Sequence, residues 1–300
     1  MRDYIFVTDT SANLGQKKCD ELGVRLLSMH YFMDDKDYLA DNDWKTIPAK
    51  DFYDIVRSGK RIMTSQVDQP QVEECFKKIL DEGKDVIYIA CSGALSSTVL
   101  EAQRARDALL EQEKYKEAKI AVIDSVCACF TQAMLLFDAL RLKNEGKSFE
   151  EVVEFAENNK RSYLETGYAN ELKYLRQAGR VSAAAAFFGD IIGIRPIIIF
   201  NTRGYNVAVE KKRGKRAALS RCAEMVKEFM IKDEHHKTIY LAHADCKEDV
   251  DAMIEAIKEK LQDDSIEFVT DYINVVIGAC VGPGTIIVGF YGDPNTRIQG

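Results

Sequence analysis

The residues best suited to hold an anion in this chain are three short hydroxyl-rich stretches. They are Thr8-Asp9-Thr10-Ser11, Thr64-Ser65-Gln66 (followed by Asp68 and Pro70), and Cys91-Ser92-Gly93-Ala94-Leu95-Ser96-Ser97-Thr98. Each precedes a segment that reads as a helix. Hydroxyls and free backbone N–H groups at a helix entry can donate to a carboxylate or phosphate, and the helix dipole favours negative charge there. The same residue types cap helices, so capping explains the first two stretches as well as binding does. The third follows the most apolar segment of the first half. It lacks both G-x-x-x-x-G-K-[ST] and G-x-S-x-G, so neither a Walker loop nor a hydrolase nucleophile elbow is indicated.

Two later stretches carry further polar or backbone chemistry. In Ala178-Gly179-Arg180-Val181-Ser182, Arg180 can fix an anion, tie two parts of the chain together, or form a surface ion pair. In Gly282-Pro283-Gly284-Thr285, Gly282 suits a close backbone approach or a positive φ, and a plain turn fits equally well.

Histidine and cysteine offer less. His235 and His236 fall in a charged segment that reads as an exposed loop, and His243 ends a strand-like run, where a structural role is expected. No spacing suggests a Ser/His/Asp triad. The eight cysteines are irregularly spaced, and Cys127-x-Cys129 has no second pair to complete a zinc site. They read as reduced thiols of a cytoplasmic protein.

The elements that must position these residues follow from apolar periodicity. In the first half, strand-like runs at residues 5–7, 24–31, 86–90 and 120–123 alternate with helical runs at 51–58, 71–82, 97–110, 130–142 and 149–163. Apolar strands separated by helices imply a mostly parallel sheet covered on both faces. Ligands of such sheets bind beyond the carboxyl ends of the strands, where the hydroxyl clusters fall. The second half predicts a helix at 183–192, a hairpin from 195–200 and 205–209 turning at 202–204, and a basic segment at 211–216. A helix reaching residue 230, strands at 238–242, 266–269 and 286–291, and a helix at 247–261 complete it. The expected architecture is α/β: an N-terminal domain (1–165) with a mostly parallel sheet and a C-terminal domain (166–300) with a mixed sheet. The last strands are expected to pack back toward the first domain.

The net charge of −7 argues against a nucleic-acid reader or an anchor to an acidic membrane surface. The chain opens without a secretory pattern. Its two most apolar stretches, 191–200 and 273–290, are broken by Arg195 and Pro196 and by several glycines, so no integral membrane segment is expected.

Taken in order, these segments resemble the DegV family of bacterial fatty-acid-binding proteins, the FakB-like group. The resemblance rests on Val7 through Leu14 (VTDTSANL), Thr64-Ser65-Gln66, residues 91–98, Val122-Ile123-Asp124-Ser125, Tyr174-Leu175 with Gly179-Arg180-Val181-Ser182, Ile194-Arg195-Pro196-Ile197, and Gly282-Pro283-Gly284-Thr285. It spans nearly the whole chain. It implies two α/β domains enclosing one long-chain fatty acid, with no other cofactor, no metal and no catalysis. It further implies that the carboxylate is held by loop hydroxyls and presented to a separate ATP-dependent fatty acid kinase, which makes the acyl phosphate. Thr64, Ser65, Ser92 and Ser96 are then the carboxylate candidates, with Arg180, Cys280 and Gly282 around them and Arg213 in the kinase encounter.

The sequence departs from the family pattern in two places. Where the family's last motif reads H-T-G-P-G, Cys280 and Val281 replace the histidine and the threonine. Gly93 stands where serine is common and Ser97 where glycine is common. A thiol is a weak, uncharged donor.

Acyl burial supplies the driving force for such a ligand, at ~0.8 kcal/mol per methylene or about 12 kcal/mol for some fifteen before ordering costs. Phe187, Phe188, Ile191, Ile192 and Ile194 are candidate tunnel walls, or equally ordinary core. Two other functions compete with the carrier reading. One is an enzyme using Ser92, Ser96 or Cys280. The other is a regulatory or scaffold protein that binds another small anion.

Overall fold

The computed structural model describes residues 2–180 and 193–299. The first half runs β1 (Tyr4–Asp9), α1 (Gln16–Leu22), β2 (Arg25–Leu27), β3 (His30–Met33), β4 (Lys36–Leu39), α2 (Ala49–Arg57), β5 (Met63–Ser65), α3 (Gln69–Asp81), β6 (Asp85–Ala90), α4 (Thr98–Leu110), β7 (Ile120–Asp124), α5 (Cys129–Asn144) and α6 (Phe149–Asn159). The second half runs β8 (Tyr163–Tyr168), α7 (Leu172–Ala178), β9 (Ile194–Phe200), β10 (Asn206–Arg213), α8 (Lys215–Phe229), β11 (Thr238–His243), α9 (Lys247–Leu261), β12 (Glu267–Tyr272), α10 (Val275–Val281) and β13 (Ile286–Tyr291).

Among the described residues three sheets form. The first is four-stranded, in the order β2-β1-β6-β7, and all its pairings are parallel. β6 is buried along its whole length, as a strand covered on both faces must be. The second is a six-stranded mixed sheet, β10-β9-β8-β13-β11-β12, in which only β11 and β12 pair in parallel. The third is a small antiparallel sheet, β4-β3-β5. The fold is thus α/β with a parallel and a mixed sheet.

The helices form where burial and capping agree. Asp68 accepts from the Gln71 amide, Pro70 sits in the first turn, and α3 then buries Val72, Phe76, Ile79 and Leu80 at helical spacing. Full burial of a side chain such as Phe76 stabilises by ~1.5–3 kcal/mol. α6 opens on a capping box between Ser148 and Glu151.

The six-stranded sheet divides two cores. Leu164 and Tyr168 pack with Ile197, Ile199, Leu219, Val226 and Ile257 in a core shared with α8 and α9. Tyr163, Ile198, Phe200 and Ile287 join the core of the first half, where α5 packs on β8, β11 and β13.

Several elements differ from expectation. Residues 24–31 form two strands in different sheets, because the Met29 amide turns to Thr10 Oγ1 and leaves the parallel ladder. The helix expected through residue 163 ends at Asn159, and residues 163–168 are β8. The basic residues Lys211, Lys212 and Arg213 complete β10. Residues 275–281 are helical, with Asn274 accepting from the Ile277 amide. The helix expected at 183–192, together with Val181, Ser182, Phe187, Phe188, Ile191 and Ile192, lies outside the described residues. Among the described residues, no helix is long and apolar enough to cross a membrane.

Candidate functional site

The loops at the carboxyl end of the parallel sheet are stitched together through buried Asp9. Its carboxylate accepts from the amides of Ser11 and Cys91 and from the Tyr88 hydroxyl. Thr8 donates to the Ile89 carbonyl, and Ser11 donates to Gln132. The Thr8–Ser11 hydroxyls therefore serve local structure, although Ser11 also borders the cavity described next. Asp124 plays a similar part in its loop, accepting from the amides of Gly93 and Val126.

Beyond these loops, between the parallel and mixed sheets, lies a cavity of about 310 Å3, within the ~300–1,000 Å3 of small-molecule sites. Its walls come from β5 (Thr64, Ser65), the loop before α4 (Gly93 to Ser97), α7 and the residues after it (Leu175, Gly179, Arg180), β8, β9 and α10. Several polar groups gather at one part of the wall. Thr64 Oγ1 lies 3.9 Å from Cys280 Sγ, Ser96 Oγ lies 2.9 Å from Thr98 Oγ1, and Arg180 Nε donates to the Leu95 carbonyl at 3.1 Å. Thr64, Arg180 and Cys280 also border a second cavity lined by Lys60, Arg61 and Lys173, of which Lys60 pairs with Asp34 and Lys173 with Glu171. Burial raises the Cys280 thiol, although Arg180 and Thr64 pull the other way. The rest of the wall includes Leu175, Ile198, Phe200, Val276, Ile277, Ile286 and Ile287. An arginine and hydroxyls at one end of an otherwise largely apolar hollow suit an amphipathic anion.

The sequence candidates do not all meet there. Thr64, Ser65, Ser96, Arg180 and Cys280 line the cavity. Ser65 donates to Gln66 Oε1. Ser92 is fully buried outside the lining. Its hydroxyl donates to the Gly204 carbonyl at 3.0 Å and accepts from the Ala94 amide, tying the serine loop to the β9–β10 turn. Gly282 is also outside the lining. It ends α10 at φ 77°, and a Cβ there would sit 2.1 Å from the Tyr174 ring, so its role is close packing. Arg213 is exposed at the end of β10, away from the lining.

His236 departs from the exposed loop expected for it. It is half-buried, stacks on Tyr291 and bonds Asp138 of α5 at 2.9 Å. His243 is buried as a structural acceptor for the Cys246 amide.

The cavity also holds residues that sequence reasoning passed over. Glu165 and Gly167 share one face of β8, and Cys129 and Ala128 lie near the start of α5. Burial pushes the Glu165 carboxyl up to about 8, with Arg297 pulling it down only in part. The run Tyr163-Leu-Glu-Thr-Gly-Tyr168 lacks the apolar alternation that would have marked it as a strand.

Comparison with known proteins agrees with this architecture. The model of the DegV family of uncharacterised proteins matches residues 5–293. A DegV domain-containing protein of Clostridium perfringens is 32% identical over 293 residues, covering 98% of this chain and 99% of its own length. The fatty-acid-binding DegV family protein of Streptococcus agalactiae superposes with a TM-score of 0.84 at 25% identity, covering 98% of this chain and all of that one. A DegV family protein of Thermus thermophilus described for its fatty acid binding gives a TM-score of 0.83 at 25% identity, with 98% and 100% coverage. Sequence motifs, sheet topology and relatives along the full length agree: the chain belongs to the DegV family.

Proposed function

We propose that this protein binds a single long-chain fatty acid in the cavity between its sheets, and that it carries the lipid without transforming it. The observation that carries this reading is the polarity of the wall. Thr64, Ser65, Ser96, Cys280 and Arg180 can meet a carboxylate, while aliphatic and aromatic side chains such as Leu175, Ile198, Phe200 and Val276 make up much of the remaining wall. Ser92 supports the carboxylate loop from behind through its bond to Gly204, and Gly282 sets the end of α10 that carries Cys280. Two relatives at 25% identity are fatty-acid-binding proteins.

The second cavity, lined by Lys60, Arg61 and Lys173, opens beside Thr64 and Cys280. A carboxylate held there is the part of the ligand that a separate cytoplasmic fatty acid kinase would phosphorylate, with exposed Arg213 contributing to that encounter. Arg213→Ala should then slow acyl phosphate formation while leaving lipid binding intact.

Native mass spectrometry followed by solvent extraction tests the carrier reading. One fatty acid per chain supports it. A lipid-free mass with no thermal shift on adding palmitate or oleate overturns it in favour of a small-anion regulator.

A further inference from the structure

We propose that the lipid selected by this cavity carries a hydroxyl group along its acyl chain, held by the carboxyl group of Glu165. This rests on the fatty-acid reading above and specifies the ligand further. Glu165 is only 8% exposed, yet it borders the cavity on the same face of β8 as Gly167. Among the described residues it has no hydrogen-bond or ion-pair partner.

Other polar groups of the wall are occupied. Ser11 donates to Gln132, Thr285 donates to the Val281 carbonyl, and the Tyr168 hydroxyl donates to Asp249. The cation that acts on Glu165 is Arg297, whose two Nη groups bond the carbonyls of Val126, Asn201 and Tyr163 and Cys127 Sγ, while its buried Nε makes no hydrogen bond to Glu165 or to any other group among the described residues.

Glu165 also stands apart from the carboxylate end. It lies on β8, which pairs with β13 at Gly289 and packs against α5, whereas Thr64 and Cys280 meet where β5 approaches α10. With the ligand's carboxylate at the polar end, Glu165 faces the acyl chain.

A plain alkyl chain would leave this carboxyl desolvated and unpaired, which is costly. Burial keeps it largely protonated near neutral pH, so it offers both an O–H donor and a carbonyl acceptor. A chain hydroxyl satisfies both. Sites built to bond a hydroxyl reject analogues lacking it far more strongly than apolar pockets discriminate by size.

The test is competition of octadecanoate and a positional series of monohydroxylated octadecanoates against a fluorescent fatty acid, on the wild type, Glu165→Leu and Glu165→Gln. At least one positional isomer should bind the wild type about tenfold or more tightly than octadecanoate. Glu165→Leu should abolish or invert that preference, and Glu165→Gln should keep part of it. The proposal is overturned if the wild type binds octadecanoate as tightly as every isomer, or if the preference survives in Glu165→Leu. If Glu165→Leu does not fold, the wild-type series and the Gln variant decide. Failure of every long-chain acid to bind the wild type would overturn the carrier reading itself, a distinct result.

Discussion

Thr64 Oγ1 and Cys280 Sγ approach to 3.9 Å although they are 216 residues apart in the chain. β5 brings one and α10 the other, so the polar end of the cavity exists only when the two halves of the molecule are docked. Thr64→Val keeps the shape and removes the hydroxyl, and should weaken palmitate binding about tenfold. Cys280→Ser exchanges one neutral donor for another and should stay within about threefold of wild type. Displacement titration of a fluorescent fatty acid measures both.

Ser92 and Ser96 separate support from contact. Ser92→Ala leaves the buried Gly204 carbonyl short of a donor and should lower stability by ~1–2 kcal/mol. The affinity of the folded protein should change little. Ser96→Ala should do the reverse, weakening binding with little change in melting temperature. Thermal unfolding paired with lipid titration distinguishes the two.

His236 gives stability a pH dependence. Burial alone would lower its pKa, but bonds to Asp138 and Asp233 outweigh that and raise it above 6.5. The folded state therefore holds the proton more tightly than the unfolded chain. This contribution is complete below pH 6.5 and is lost as pH rises through the raised value. His236→Gln should be most destabilising relative to wild type in mildly acidic buffer, with the gap closing at higher pH. Urea titrations across that range measure it.

Glu165 acts in the same direction over a wider window. Its carboxyl is raised from 4.5 to about 8, so the folded state favours the protonated form. The associated stability is complete below pH 4.5 and falls as pH rises toward and through 8, at up to ~1.4 kcal/mol per pH unit. Lipid-free Glu165→Gln should escape this loss and become more stable than wild type in alkaline buffer. Equal slopes for the two proteins would refute the assignment.

Gly282 allows little substitution. Gly282→Ala places a methyl in the left-handed region and against the Tyr174 ring, and should cost ~2–3 kcal/mol. The melting temperature should drop by several degrees.

Much of this architecture is legible in the sequence where signals are local. The 86–90 strand announces itself by an unbroken apolar run, and α3 by Asp68, Pro70 and its apolar spacing. β8 is not, because Glu165 and Gly167 are poor strand formers and the strand follows a helix after a short gap. Its identity comes from pairing with β9 and β13, which are distant in sequence. The small sheet is hidden for the same reason: β3, β4 and β5 are short, and their partners are set by tertiary contacts.

Of the site, Thr64, Ser65, Ser96, Arg180 and Cys280 are recognisable as hydroxyls, a cation and a thiol in ordered motifs. Ser92 looks the same on paper, and only the turn at Gly204 diverts it. Glu165 gives no sign, since a glutamate in sequence reads as a solvent-facing residue. Its burial is decided by the register of β8 against Gly289.

That register makes β8 a party wall. Glu165 and Gly167 belong to the cavity, and Leu164 and Thr166 face the core under α8. Point changes on one side can retune what the cavity accepts without disturbing the other, so ligand preference and C-terminal stability can drift independently among relatives. A one-residue insertion in this strand cannot do that. It would exchange the two sides at a stroke, sending Glu165 against Met225 and the Thr166 hydroxyl into the cavity.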